Sequence, residues 1–293
     1  MNLILTVIEI VAPVFTLGAI GFAWVKLGFE YRVEFVTRLA MTLAVPCLVF
    51  SALMTSDIDA TALTTVSLAA LVAYALVTLL SALVIRLKGY ETRAYLAPMI
   101  FGNTGNLGLP LAYFAFADAG FGFAVIIFAI MGIYSFTIGV WMVSGGGSLT
   151  KLVREPLVGA TLLGALFLIM GWQTPKVVTN TIDLIGQLAI PLMLITLGVA
   201  VARLKPGRIT RAIFLSAVKV VICTSTAWAT GLWFDLAPIP FAILVLQVST
   251  PVAVTSYLLA EKYGADADAV AGLVVVSTLM SIVTLPVTLA FLL

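Results

Sequence analysis

The chain has 293 residues, 62% of them hydrophobic and only 10% charged, with a mean hydropathy of +1.21. A soluble protein of this length needs far more polar surface, so the composition excludes one and specifies a polytopic membrane protein. The net charge of +2 is scattered without the basic run of a nucleic-acid binder; there is no histidine, and Cys47 and Cys223 both lie in apolar segments, which excludes a disulfide scaffold and argues against a zinc or haem site.

A stretch of about 20 apolar residues crosses a bilayer. By that measure the sequence predicts an all-α chain of ten spans: 3–26, 33–55, 62–86, 94–116, 120–143, 155–172, 177–201, 209–233, 239–260 and 269–292. The first run is too long and too weakly flanked by basic residues for a cleaved signal peptide, and reads as the first span. Connections are short. The stretch Ser144 to Ser148 is linker-like and divides the chain into halves of five spans, 1–148 and 149–293.

Charge sets the expected orientation. Thirteen of the fifteen Lys and Arg residues fall at odd-numbered connections, among them Arg32, Lys88, Arg93, Lys151, Arg154, Arg203, Arg211 and Lys262. The second, fourth and eighth connections carry Asp57, Asp59, Asp118 and Asp235 and no basic residue. The odd-numbered connections are therefore expected in the cytoplasm and both termini outside.

Five spans per half make the second half an inverted copy of the first. A faint repeat agrees: Leu43 to Pro46 matches Leu188 to Pro191, Pro13 pairs with Pro156 and Pro110 with Pro251, at offsets of 145, 143 and 141 residues. Interrupted spans in corresponding positions of two halves point to a transporter's binding site.

The fourth span contains such an interruption. Phe101 to Pro110 places three glycines, Asn103, Thr104, Asn106 and a proline in ten residues. These are poor helix formers, and a broken helix at membrane depth is tolerated only in protein or along a polar cavity. Its counterpart in the ninth span is Leu246 to Pro251, with Gln247, Ser249 and Thr250 ahead of the proline. The candidate solute site is therefore Asn103, Thr104, Gly105, Asn106 and Pro110 with Gln247, Ser249, Thr250 and Pro251. Pro110 and Pro251 are expected in the first turn of each second half-helix. Two such N-termini near the midplane attract an anion. The structural alternative is polar glue and close packing between helices.

Lys219 lies about ten residues into the eighth span. Burying it near the bilayer centre costs about 2.5–3.5 kcal/mol on insertion scales. Two readings stay open. It is either a structural lysine bonded to helix carbonyls or an acid, or a counter-charge for a carboxylate, or for a proton cycle, standing where a coupling cation would. Glu9 and Asp183, in the outer parts of the first and seventh spans, read as hydrated.

The run from Gly102 to Pro110 resembles the signature of the auxin efflux carrier family of membrane transporters; the segments around Pro46 and Pro191 are also similar to the family's, and the ten-span layout covers the whole chain. The resemblance implies a fold like that of plant auxin exporters and bile-acid sodium symporters. In it, spans one, two, six and seven form a scaffold, and spans three to five and eight to ten form a transport domain moving as an elevator. Spans four and nine cross beside the substrate. It also implies scaffold-mediated homodimers, and for bacterial members carboxylates such as malate or malonate, with H+ or Na+ as coupling ion and no cofactor. The long central cytoplasmic loop of many plant exporters is missing here, which favours a compact carrier of the bacterial inner membrane. The ninth span departs from the fourth in lacking an asparagine.

The leading expectation is a secondary transporter of a small organic anion. A cation–proton antiporter of related fold needs carboxylates at the crossing, and spans four, five, nine and ten have none in their apolar interiors. An intramembrane enzyme would be left with Ser216 and Lys219 chemistry alone. A passive channel lacks a filter loop or charged ring.

Overall fold

The computed structural model describes residues 3–144 and 156–293. The expected linker therefore lies outside the described residues but for Ser144, as do Lys151 and Arg154. The described residues form helices, with an isolated antiparallel bridge between Gly102 and Val252 in place of any sheet. In chain order these are α1 (Leu3–Lys26), α2 (Val33–Leu39), α3 (Val45–Met54), α4 (Ala60–Leu87), α5 (Thr92–Ile100), α6 (Leu109–Tyr134) and α7 (Val140–Ser144). They are followed by α8 (Pro156–Met170), α9 (Lys176–Gly186), α10 (Ala189–Arg203), α11 (Ile209–Trp233), α12 (Pro238–Val248), α13 (Val254–Tyr263) and α14 (Ala267–Leu292). Five-residue π-helical turns join α2 to α3, lead into α6 and join α6 to α7.

Among the described residues, seven helical stretches are long and apolar enough to cross a membrane. One, Thr104–Val143, runs through the second half of the expected fourth span and all of the fifth. Its direction changes at Ala117, whose left-handed φ of 47° breaks the helix beside Asp118, where the sequence places a connection. The expected sixth span is the 15-residue α8, and the ninth is split into α12 and α13. Pro46 and Pro191 fall at the second residue of α3 and the third of α10. A missing N–H costs little at those positions, so both sit at helix starts following an irregular turn.

Packing separates the helices into two sets. In one, α1 runs along α10, and α3 lies against α8 and α9. The α1–α10 contact is backbone to backbone: a Cβ on Gly198 would stand 1.8 Å from the Gly18 carbonyl oxygen, and one on Gly21 2.0 Å from that of Ile195. Small residues permit this approach where no hydrophobic force draws helices together. In the other set α4 packs on α5 and α6, and α11 on α12, α14 and α4. Asp183 is half-buried and accepts a hydrogen bond from Ser51, tying α9 to α3.

Contacts across the chain gather the basic connections at one end. Arg203 donates to the Tyr31 carbonyl (2.6 Å), Arg93 to that of Tyr263 (3.1 Å), and Arg211 lies 4.4 Å from the centre of the Tyr90 ring.

Candidate functional site

The break in the fourth span arises where α5 ends at Ile100. Phe101 is extended, Asn103 is neither helical nor extended (φ −81°, ψ 54°), and helix resumes at Thr104. The Asn103 carbonyl then accepts from both Leu107 (3.0 Å) and Gly108 (3.1 Å), which opens the first turn into π geometry. In the ninth span α12 ends at Val248 and helix resumes at Val254.

The two breaks pair with each other. Asn103 N–H donates to the Pro251 carbonyl (2.7 Å), and Ala253 N–H donates to that of Phe101 (3.2 Å). Backbone groups freed by the breaks thus satisfy one another, as they must at membrane depth. Glycine makes the approach possible: a Cβ on Gly102 would lie 2.2 Å from Thr250 Oγ1.

Four helix ends meet here, and their polarity is sorted. The resumed helices present their N-termini, whose first N–H groups have no intrahelical acceptor and carry partial positive charge. The opposite ends are capped. Lys219 Nζ donates to the carbonyls of Met99 (3.1 Å) and Ile100 (3.5 Å) in the last turn of α5, with Cys223 Sγ 3.9 Å away. Thr250 Oγ1 donates to the Gln247 carbonyl (2.7 Å) at the end of α12.

A cavity of about 700 Å³ runs from this crossing to the end where the basic connections gather. Gly102, Asn103, Gly105 and Asn106 line it from one break; Ala253, Val254 and Thr255 line it from the other. Phe128 and Met131 of α6 and Met193 and Thr196 of α10 form apolar walls with one hydroxyl. At the mouth Arg32 pairs with Glu30 (2.6 Å), and Tyr31 shares a 2.7 Å hydrogen bond with Thr196. Partial burial pushes the Tyr31 hydroxyl above the usual tyrosine range, against the opposing pull of Thr196 and Arg203, so it stays neutral.

Of the residues singled out from sequence, the structure brings Asn103, Gly105 and Asn106 to the cavity wall. Asn103 Nδ2 is buried and has no hydrogen-bond partner. Thr104, Pro110, Gln247, Ser249, Thr250 and Pro251 are buried behind that wall. Thr104 Oγ1 and both amide atoms of Gln247 are also without partners, and Ser249 shares a 2.9 Å hydrogen bond with Thr224. Lys219 is fully buried and does not reach the cavity.

Pro110 falls in the first turn of α6, as expected, but after a π-helical turn that already resumes helix at Thr104, six residues earlier. Pro251 does not begin its half-helix and precedes Val254 by three. The resumed helices start 150 residues apart (104 to 254), whereas the prolines are 141 apart, so pairing the prolines shifts one break nine residues against the other. Thr255 and Tyr257 were missed for this reason: in the ninth span the cavity-facing residues follow the proline.

Two paired helix breaks at the inner end of an apolar-walled cavity that opens at one end have the form of a membrane transporter. The profile of the family described as membrane transport protein matches residues 6–148 and 142–289. The chain belongs to this family, that of the auxin efflux carriers. It is 27% identical over 293 residues to an uncharacterized transporter of Methanothermobacter thermautotrophicus, covering 95% of this chain and 96% of that one. It is 25% identical over 200 residues to a putative malonate transporter of Rhizobium meliloti, covering 63% and 62%. A probable auxin efflux carrier component 9 of Oryza sativa subsp. japonica is 27% identical over 159 residues, covering 52% and 35%.

Proposed function

We propose that the chain is a secondary transporter of a small organic anion, a mono- or dicarboxylate of the malate or malonate class, bound at the crossing of the fourth and ninth spans. The observation that carries this reading is the unpartnered Asn103 amide on the cavity wall, between two resumed helix N-termini. Amide donors and helix N-termini suit a carboxylate. Among the described residues the only carboxylates lining the cavity, Glu30 and Glu34, are at its mouth, so nothing at the crossing repels an anion. The name of the Rhizobium relative agrees with this class.

The reading extends to ten spans in a 5+5 inverted repeat. The two packing sets support a scaffold of spans one, two, six and seven and a moving domain of the rest, because the cavity lies where α10 of the first set faces the crossing. With basic connections inside, both termini lie outside a bacterial inner membrane and the cavity opens inward. A homodimer would form through the scaffold. Lys219 acts from behind, as a fixed cation on the end of α5 in the place of a coupling ion, which favours H+ over Na+ in the cycle.

The test is uptake of labelled malonate and malate into proteoliposomes under an imposed pH gradient, with and without sodium. A hydrogen bond to a charged group contributes about 1.5–3 kcal/mol, so Asn103→Ala should weaken apparent affinity roughly ten- to hundred-fold with the protein still folded. Unaltered uptake by this variant would remove the site from the crossing. Uptake of neither acid by the wild type would remove the substrate class.

A further inference from the structure

Lys88 and Arg211 form a second cationic feature, away from the cavity. Lys88 caps the end of α4, and its ammonium lies 5.3 Å from the centre of the Phe214 ring on α11. Arg211, one turn before Phe214, lies 4.4 Å from the Tyr90 ring and 5.5 Å from Tyr95, and donates to the Tyr95 hydroxyl (3.1 Å). Tyr95 is itself buried, so the guanidinium is held on a fixed platform. Among the described residues neither cation has a carboxylate within ion-pair distance. The acids nearby are Glu91, beside Tyr90 in the chain, and Asp266, which pairs with Arg208 at 3.0 Å and caps α14.

Below this end, α4 and α11 expose apolar side chains: Leu79, Leu83 and Leu87 on the first, Ile213, Phe214 and Val221 on the second. Both helices are long and apolar enough to span a bilayer. Two unpaired cations standing on aromatic rings at the head of an apolar helix surface match a lipid with a phosphate headgroup and acyl chains. Basic pockets between spanning helices bind anionic headgroups in this way, and the aromatic rings place the cations at headgroup level.

We propose that the α4–α11 junction binds an anionic phospholipid, its phosphate held by Lys88 and Arg211 and its chains laid along the exposed faces of both helices. The site is separate from the solute cavity and does not depend on what the cavity carries. Arginine supplies a planar fork for phosphate oxygens and lysine a mobile point charge. A zwitterionic lipid brings the same phosphate with its own ammonium, which meets the same cations unfavourably.

The experiment is native mass spectrometry of detergent-purified protein titrated with phosphatidylglycerol or phosphatidylcholine, alongside thermal stability in each lipid. The wild type should retain one phosphatidylglycerol in preference to phosphatidylcholine and gain stability from it. Lys88→Glu, an exposed change that leaves the core intact, should lose that preference. The pair Lys88→Gln and Arg211→Gln should bind phosphatidylglycerol about thirty-fold more weakly, as expected for two interfacial cations. Lys176→Gln, at a connection outside the basic set, should bind as wild type. Equal retention of both lipids, or wild-type binding by Lys88→Glu, overturns the proposal. Displacement of the lipid by millimolar inorganic phosphate also overturns it, since the site would then take a free oxyanion.

Discussion

Gly102→Ala is expected to disable transport and to lower the protein's thermal stability markedly. The new Cβ would stand 2.2 Å from Thr250 Oγ1 and 3.1 Å from the Thr250 carbonyl oxygen. The hydroxyl cannot simply swing aside, because it caps α12 through the Gln247 carbonyl at 2.7 Å. Relief therefore requires the two breaks to separate, which stretches the Asn103–Pro251 and Phe101–Ala253 backbone bonds. Overpacking costs about 1–3 kcal/mol, and each buried group left unsatisfied about 1–3 kcal/mol. A loss on the order of 3 kcal/mol follows, measurable by thermal denaturation in detergent alongside uptake. Gly159→Ala is the control, since nothing lies within 4 Å of a Cβ there. Adding Thr250→Ala removes the closest contact, so the double variant should be more stable than the sum of the singles, the coupling expected of touching residues. If Gly102→Ala behaves like Gly159→Ala, the breaks are not packed against each other.

The first break was legible because its signal is chemical: glycine and asparagine in the middle of an apolar span have few explanations. Its counterpart was legible in existence and misplaced in register. Proline reports that a helix cannot continue through it, but not whether the chain resumes before or after it, and Pro110 and Pro251 lie on opposite sides of their helix starts. The apolar walls were invisible. Phe128, Met131 and Met193 look like any core or lipid-facing residue of a membrane helix, and only the packing of α10 opposite α6 turns them toward a cavity. The depth of Lys219 was readable from its distance to the span start. Its partners were not, because the carbonyls it caps are 120 and 119 residues away in the chain.

Lys219→Met should leave the fold nearly as stable as wild type while cutting transport at least tenfold. Two terms oppose each other. Removing the ammonium leaves the Ile100 carbonyl unpaired at the end of α5 and the Met99 carbonyl with only the long contact to Cys223 Sγ (4.0 Å), at about 1–3 kcal/mol each. Removing a charge from mid-membrane recovers about 2.5–3.5 kcal/mol. The two terms offset each other to within about 1.5 kcal/mol on one side and about 3.5 kcal/mol on the other. The surviving Cys223 contact favours the low end of the cost, and methionine nearly fills the space. The effect on an anion is not offset in this way. The uncapped end of α5 leaves its partial negative charge behind a site that, under the proposed function, must attract a carboxylate, and the geometry of the break loses its anchor. Transport, melting temperature and pH dependence separate the roles of this lysine. Reduced uptake that keeps the wild-type pH profile marks Lys219 as a fixed cap. A pH profile that flattens in the variant makes its proton part of the coupling. Uptake that becomes sodium-dependent shows that a cation has entered the place the ammonium left. Wild-type uptake in every condition would show that the cap is dispensable and that Lys219 has no part in transport.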